Sequence, residues 1–228
     1  MPNNIEIKIF ELAPSKGITP EIIKQHFNWR KTNKCLIENT IGIGDVKEPI
    51  WWNRPYQSDT IIKQEPDGLY SYNLPYIYRR NDYKTGYNLL VNKNSIPLMI
   101  LIRVEPNWGF RQHAILDNSF SNTAIYKALL DLGVDKTKLK LVNNDIIYDN
   151  KKFVGTESAI YGGWFGSASV ITLKFNEEKE IFERLTGKYK GHRNICGIQE
   201  ETGNIFTKEQ FLERLKIRLQ EQADRLLK

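Results

Sequence analysis

The segment of residues 143–156, NNDIIYDNKKFVGT, restricts the fold of this chain more than any other stretch. Residues 146–148 (IIY) favour a β-strand, and residues 153–154 (FV) favour a second one. Between them, Asp149 and Asn150 are residue types that tolerate the tight turn of a two-residue hairpin loop. The segment therefore predicts a β-hairpin.

The ends of this hairpin carry polar groups that suit a nucleotide-activating site. Asn144 and Asp145 precede the first strand, Lys151 and Lys152 follow the turn, and Gly155 comes three residues later. A carboxylate can hold a metal ion, and a lysine can meet a phosphate or a carboxylate. A glycine allows close approach to the backbone. An ordinary surface hairpin with charged ends would have the same composition, so the pattern alone leaves both interpretations open.

The composition limits the class of protein. The 228 residues, of which 40% are hydrophobic, are enough for a substantial core in one α/β domain with a small appendage. The formal net charge of +6 and the pI near 9.1 are compatible with a nucleic acid, an anionic nucleotide substrate or an acidic protein partner.

The sequence also predicts where the protein works. No apolar run has the length of a membrane span, and the first residues do not form a signal peptide. The two cysteines, Cys35 and Cys196, lack the CxxC spacing of a structural zinc site and do not suggest a disulfide scaffold. We therefore expect a soluble, cytoplasmic protein without a membrane partner.

Local signals predict a mixture of strands and helices in which antiparallel hairpins outnumber βαβ units. The predicted strands are residues 5–11, 89–91, 98–104 and 168–175. The predicted helices follow Thr19-Pro20, run over Thr123–Leu132 behind a Ser121-Asn122 cap, start at Asn176, and start behind a capping box at Thr207. Gly133 is expected to end the second of these helices.

Several common catalytic motifs are absent from the sequence. It contains no GxxxxGK[ST], GxGxxG, HExxH or GxSxG pattern. The histidines His26, His113 and His192 are isolated from one another, so each is more simply a surface or core imidazole than a ligand.

The order of elements around the hairpin resembles a known family. The matching features are a helix end at 132–134 (LGV), the pair Asn144-Asp145, the run 152–155 (KFVG), the turn 164–167 (WFGS), Asn194-Ile195 and the segment 205–207 (IFT). Six residues separate Asp145 from Lys152, which is the spacing of the family. Over about residues 121–225 the chain thus resembles the lipoate–protein ligase branch of the biotin/lipoate ligase superfamily.

The resemblance implies a fold and a domain organisation. The fold is an α+β arrangement with a central, mostly antiparallel sheet flanked by helices and a small helical segment at the C-terminus. Residues 1–187 would form the ligase-like domain. Residues 188–228 would form a C-terminal loop and helix that pack on it or belong to the same domain.

The resemblance also implies a reaction. ATP and Mg²⁺ would activate lipoate or octanoate as an acyl adenylate, and the acyl group would pass to a lysine of an acidic, lipoyl-type acceptor domain. Lys152 would be the catalytic residue, because an ammonium group stabilises the charge that develops during activation. Asp145 would hold the metal ion. The residues expected to contact the nucleotide or the adenylate are Arg79, Arg80, Gly86, Asn144, Gly155 and Thr156.

The upstream segment departs from the pattern of the family. Residues 79–88 keep two arginines and a Thr-Gly pair, but they lack the triple glycine and the His-Asp that follows it. Side chains larger than glycine occupy space that close backbone contact with a ligand needs. A non-catalytic binding or assembly protein that retains the ligase scaffold is therefore an alternative hypothesis, and the sequence leaves the question of enzymatic activity open.

Two other hypotheses rest on different residues. Cys196 precedes Gly197, and related octanoyltransferases use a cysteine in such a context as an acyl-thioester nucleophile; a nearby Lys152 would lower its pKa. A buried, inert thiol is the simpler interpretation. Residues 68–88 alternate tyrosines with cations, a mixture that also permits nucleic-acid binding.

Overall fold

The structure is a computed structural model that describes residues 4–12, 39–47, 50–53, 76–79, 89–91, 93–116, 119–161, 163–176 and 195–228. Its strands are β1 (Glu6–Leu12), β2 (Thr40–Val46), β3 (Ile50–Asn53), β4 (Tyr76–Arg79), β5 (Leu89–Val91), β6 (Ser95–Arg103), β7 (Leu139–Val142), β8 (Asp145–Tyr148), β9 (Lys151–Tyr161) and β10 (Trp164–Thr172). Its helices are α1 (Phe110–Leu116), α2 (Ser119–Asp131), α3 (Ile198–Glu201) and α4 (Lys208–Leu227).

Within these ranges the strands form two sheets. Seven strands make the main sheet in the order β1-β2-β6-β10-β9-β8-β7, and three make a smaller sheet in the order β4-β3-β5. In the main sheet β1 and β2 are parallel, and every other neighbouring pair is antiparallel. The predicted mixed fold with a mostly antiparallel central sheet is therefore confirmed.

One face of the main sheet contacts α2, and α4 packs against α2. Phe120 of α2 and Phe211 of α4 are fully buried in one apolar cluster with Ile146 and Val154 of the sheet. The apolar residues of α4 recur every three or four positions, which is the spacing that places them on one side of a helix. No helix in the described part of the chain is long and apolar enough to cross a membrane.

Several local signals in the sequence are confirmed by the backbone. Asp149 and Asn150 both have positive φ angles, 47° and 64°, as a two-residue hairpin turn of type I′ requires. Gly133 has φ 83°, and the bonds from its N–H to Leu130 O and from Val134 N–H to Leu129 O end α2 in a Schellman motif.

The N-terminus of α4 has the predicted capping box. The Thr207 hydroxyl accepts a hydrogen bond from Gln210 N–H at 3.2 Å, and the Gln210 side chain accepts one from Thr207 N–H at 2.8 Å. The first residue of the helix also ties it to the sheet, because Lys208 Nζ lies 3.1 Å from Asp45 Oδ1 of β2.

The predicted start of α2 is wrong by several residues. The helix begins at Ser119, so Ser121 and Asn122 lie in its first turn instead of capping it. Their side chains are buried and find hydrogen-bond partners on β9 and β10. These partners are distant in the sequence, so the local pattern does not reveal them. Ser121 and Asn122 therefore resemble capping residues in the sequence, although in the structure they bond to the sheet.

Strand β10 also begins earlier than predicted, at Trp164 instead of Ala168, and ends at Thr172. Gly166 lies inside the strand, where it pairs with Leu101 of β6 on one side and with Ala159 of β9 on the other. Pairing on both sides satisfies the backbone of this glycine-containing segment and overrides its low strand propensity. The predicted helices after Thr19-Pro20 and Asn176 lie outside the described residues.

Candidate active site

A β-bulge in β9 decides which residues of the hairpin face the candidate site. Asp145 pairs with Gly155 and Ile147 pairs with Lys152, so β9 contains one residue more than β8 between these two pairs. Cross-strand partners share a face of the sheet, and alternate residues of β8 share a face as well. The bulge therefore places Asp145, Lys152 and Gly155 on one face, which we call the lysine face.

Lys152 and Asp145 form an ion pair on this face. The distance between Lys152 Nζ and Asp145 Oδ1 is 2.8 Å. The side chains are 32% and 19% exposed, so both charges are partly shielded from water and still accessible to a ligand. A pair of this exposure is worth only about 0–1 kcal/mol, because solvent screens it. Lys152 can therefore exchange the carboxylate for an anionic ligand at small cost.

Gly155 leaves the space that the lysine side chain occupies. A Cβ atom at this position would lie 2.9 Å from Lys152 Nζ and 3.0 Å from Lys152 Cε. Any other residue would push the ammonium group away from Asp145. Packing of the lysine side chain over the glycine thus explains the Lys-x-x-Gly spacing. The two residues are in contact because the bulge places them on the same face.

The lysine face continues across β10 with small side chains. Val170 of β10 is the partner of Gly155, and Ala168 and Gly166 follow at alternate positions on the same face. Ala168 is exposed, and Gly166 is buried. The β10 side chains on this face are therefore small beyond Val170.

Thr156 lies on the opposite face of β9, against α2. Its hydroxyl donates to Asn122 Oδ1 at 2.7 Å and lies 2.8 Å from Ser169 Oγ. Ser169 Oγ in turn donates to Ser121 Oγ at 3.3 Å. All four residues are buried, and the Thr156 hydroxyl is committed to this network. The structure therefore does not support the expectation that the Thr156 side chain contacts a nucleotide.

Asn144 shapes the turn beside the ion pair. It is half-buried, and its backbone carbonyl accepts a hydrogen bond from Thr156 N–H at 3.0 Å. This bond joins the turn before β8 to β9 next to Gly155. Asn144 thus lies in the same part of the sheet as Lys152 and Asp145.

Cys196 lies close to Lys152 through the backbone. Cys196 N–H donates to the Lys152 carbonyl at 2.9 Å, and Ile195 forms a parallel bridge with Lys152. The Cys196 side chain is 3% exposed. Burial, with a smaller contribution from the nearby Glu201 carboxylate, raises the pKa of the Cys196 thiol to about 12. The expected lowering of its pKa is therefore wrong, because desolvation outweighs the cation, Lys151, that acts in the other direction.

Lys151 is held by a different carboxylate from its neighbour. Its Nζ lies 2.8 Å and 2.7 Å from the two carboxylate oxygens of Glu201 in α3, which raise the pKa of Lys151. No local pattern in the sequence indicates this pair, because the two residues are fifty positions apart. Glu201 is thus a charged residue near the site that the sequence motifs do not indicate.

The expected Mg²⁺ site fits the donor set only in part. Asp145 supplies one carboxylate, and the described residues contain no group of three or more His, Cys, Asp or Glu side chains that could hold a metal ion. Mg²⁺ in nucleotide sites is often bound by one or two carboxylates together with phosphate oxygens and water. Asp145 is thus compatible with Mg²⁺ that arrives with a nucleotide, and not with an all-protein site.

The other residues predicted to contact the ligand are Arg79, Arg80 and Gly86. Arg79 ends β4, where its backbone pairs with Asn53 of β3. Its side chain, Arg80 and Gly86 lie outside the described residues.

Comparison with known proteins identifies the fold. No family model matches the sequence, and no curated protein matches it significantly. Among solved structures, lipoate-protein ligase A bound with ATP matches with a TM-score of 0.67, 10% identity and coverage of 96% of this chain and 85% of that one. The bipartite lipoate protein ligase of Thermoplasma acidophilum, from a study that includes its E2 lipoyl domain, matches with a TM-score of 0.63, 11% identity and coverage of 96% and 83%. P. falciparum LipL1 in complex with lipoate matches with a TM-score of 0.57, 13% identity and coverage of 87% and 51%.

The chain therefore has the fold of the lipoate–protein ligases. At identities of 10 to 13% the similarity establishes the architecture and not the activity. The fold that the sequence resemblance implied is confirmed.

Proposed function

We propose that this protein activates a medium-chain carboxylate, lipoate or octanoate, with ATP and transfers the acyl group to a lysine of an acceptor protein. The observation that carries the proposal is the group of Lys152, Asp145 and Gly155 on one face of a lipoate ligase fold. Lys152 is a cation that can change partners, Asp145 is a carboxylate next to it, and Gly155 has no side chain and so leaves space beside them.

In the first step an oxygen of the substrate carboxylate attacks the α-phosphorus of ATP, and pyrophosphate leaves. Negative charge accumulates on the α-phosphate in the transition state. Lys152 is suited to stabilise it, because its ammonium group is only partly exposed and can exchange the Asp145 carboxylate for the phosphate at small cost. Mg²⁺ held by Asp145 and the phosphates would offset the charge of the departing pyrophosphate.

The acyl chain needs an apolar surface next to the ammonium group. We expect this surface on the lysine face of β10, where Val170, Ala168 and Gly166 follow one another at alternate positions. Burial of the roughly six methylenes of an octanoyl chain contributes about 5 kcal/mol at about 0.8 kcal/mol each. An apolar surface of modest size therefore accounts for much of the affinity for the acid.

In the second step the amine of an acceptor lysine attacks the acyl carbonyl, AMP leaves, and an amide forms. The archaeal protein with a similar fold works with an E2 lipoyl domain, which supports a lipoyl-type acceptor for this chain. The net charge of +6 favours an acidic acceptor, because opposite charges accelerate encounter.

The proposal is tested by incubating the full chain with ATP, Mg²⁺ and octanoate. Acyl adenylate is detected by mass spectrometry, and ATP–pyrophosphate exchange is measured in parallel. We expect exchange that depends on octanoate, and a loss of about a hundredfold or more in Lys152→Ala. Lys136→Ala, which removes an exposed lysine after α2, is the matched control and should exchange at the rate of the unaltered protein.

Two outcomes would replace the proposal by an alternative. Binding of octanoate or ATP without any adenylate would identify a non-catalytic binding protein on the ligase scaffold. Formation of a thioester on Cys196 from an acyl donor would identify a cysteine-dependent octanoyltransferase, although its burial and raised pKa argue against that chemistry.

A further inference from the structure

The two adjacent lysines of β9 are held by carboxylates from different parts of the chain. Lys152 pairs with Asp145 of β8 on the lysine face, whereas Lys151 pairs with Glu201 of α3. Lys151 is the cross-strand partner of Tyr148, which lies on the opposite face from Asp145. The sequence Lys-Lys does not by itself decide which lysine faces Asp145.

The β-bulge is what decides it. With regular pairing from Gly155 onward, Phe153 would lie opposite Ile147, and Lys152 would lie opposite Tyr148. Lys152 would then point to the opposite face, and a phenylalanine would take its place beside Asp145. The chain therefore needs an interaction that favours the bulged register over the regular one.

The segment around α3 lies at the position where such an interaction can act. Strand β10 pairs with β9 as far as Val154, opposite Ile171. Beyond that point Ile195 takes the place of β10 as the neighbour of Lys152, and Cys196 N–H donates to the Lys152 carbonyl at 2.9 Å. The bulged residue Phe153 thus lies between the end of one pairing partner and the beginning of another.

Helix α3 is itself fixed to the continuation of β10. Gln199 N–H donates to Leu173 O at 2.9 Å, and the Glu200 carboxylate accepts hydrogen bonds from Phe175 N–H at 2.8 Å and Asn176 N–H at 3.0 Å. Gly197 packs on the same backbone, since a Cβ there would lie 2.7 Å from Leu173 O. Glu201 therefore projects from a well-anchored helix.

We infer that Glu201 is a positioning residue for Lys152: by holding Lys151 on the opposite face, it stabilises the bulge that presents Lys152 to Asp145 and to the substrate. Both oxygens of Glu201 lie within hydrogen-bond distance of Lys151 Nζ, so this carboxylate directly contacts Lys151 on the opposite face. The catalytic consequence of the inference rests on the proposed function. The structural consequence, which is the orientation of Lys152, is independent of the proposed function.

The structural consequence is tested by labelling the full chain with an amine-reactive ester and measuring the rate at each lysine by peptide mass spectrometry. Lys152 should react slowly in the unaltered protein, because Asp145 shields it. In Glu201→Gln and in Lys151→Met we expect Lys152 to react about threefold faster or more, as the lysine leaves its partner. Glu213→Gln, the same change at an exposed position of α4, should leave the rate unchanged.

The catalytic consequence is tested on the same variants by adenylate formation. Misplacement of Lys152 should lower kcat about tenfold to a hundredfold, while KM for ATP and octanoate stays within about twofold. The double variant Lys151→Glu with Glu201→Lys restores a pair of opposite charges and should recover most of kcat. A purely structural role of Glu201 would lower the melting temperature and leave kcat of the folded protein unchanged.

The outcomes separate the inference from the proposed function. If the unaltered protein forms no adenylate, the proposed function fails, and the labelling still decides about Glu201. If Lys152 reacts at the same rate in Glu201→Gln, Lys151→Met and the unaltered protein, the inference is overturned, whatever the activity.

Discussion

Lys152 and Gly155 are three residues apart in β9, yet they lie on the same face of the sheet, and a Cβ at Gly155 would lie 2.9 Å from Lys152 Nζ. Residues three apart in a regular strand point to opposite faces. The extra residue of the β-bulge brings Lys152 to the same face as Gly155. The relationship links the geometry of one strand to the position of the proposed catalytic cation.

Gly155→Ala should reduce activity and leave stability nearly unchanged. The added methyl group meets the flexible end of Lys152, which can move, so we expect the free energy of unfolding to change by less than about 1 kcal/mol. The displaced ammonium group should lower adenylate formation by about tenfold or more. Chemical denaturation and pyrophosphate exchange measure the two effects. Gly109→Ala is the control, because its Cβ would meet only Gln112 Oε1 at 3.8 Å; equal activity of both variants would contradict the prediction.

Gly197→Ala should have the opposite profile and destabilise the fold. Its Cβ would meet the backbone of Leu173 and Lys174, which cannot move away as a side chain can. Overpacking of this kind costs about 1–3 kcal/mol. Urea denaturation measures the loss of stability in this variant and in Gly109→Ala. The difference between the two separates the steric effect at position 197 from the general effect of replacing glycine by alanine. An unchanged midpoint would show that α3 can separate from β10 without cost.

Thr156→Val should be destabilising, because it leaves the buried Asn122 amide without the donor that it has now. Loss of one partner of a buried hydrogen bond costs about 1–3 kcal/mol. Thr156→Ser keeps the hydroxyl and should lose less stability, as measured by the denaturation midpoint. If ATP binding fell in Thr156→Val while stability did not, the side chain would have the ligand role that the sequence suggested.

Cys196 should resist alkylation in the folded protein. A pKa of about 12 leaves only about one thiol in ten thousand ionised at pH 8, and burial hinders access. Iodoacetamide should therefore modify Cys196 at pH 8 only after unfolding, which peptide mass spectrometry can follow. Rapid alkylation of the native protein would favour the cysteine-dependent mechanism instead.

The same pKa predicts how stability depends on pH. The folded state holds the thiol proton more tightly than the unfolded chain, whose thiol has the ordinary pKa of 9.0. The contribution of the protonated thiol is therefore complete below about pH 9 and decreases as the pH rises toward 12. The free energy of unfolding, measured by denaturation at about pH 8 and pH 10, should decrease less between these pH values in Cys196→Ala than in the unaltered protein.

Part of the fold could be predicted because it depends on neighbouring residues. The positive φ angles at Asp149 and Asn150, the end of α2 at Gly133 and the capping box at Thr207 each involve residues within five positions of one another. Where distant contacts compete, the same kind of reasoning failed. Ser121 resembles a helix cap in sequence, but it lies within α2 because Ser169 offers its hydroxyl a partner from the sheet.

Local patterns in the sequence were sufficient to predict the hairpin, the residue types of the candidate site and the resemblance to the lipoate–protein ligases. Contacts between distant parts of the chain determine which of those residues lie close together. Lys152 faces Asp145 because of a bulge, Lys151 is held by Glu201, and Thr156 points into the core. The physical reason is that a one-residue change of register reverses the face of every following side chain, and contacts between distant parts of the chain select the register.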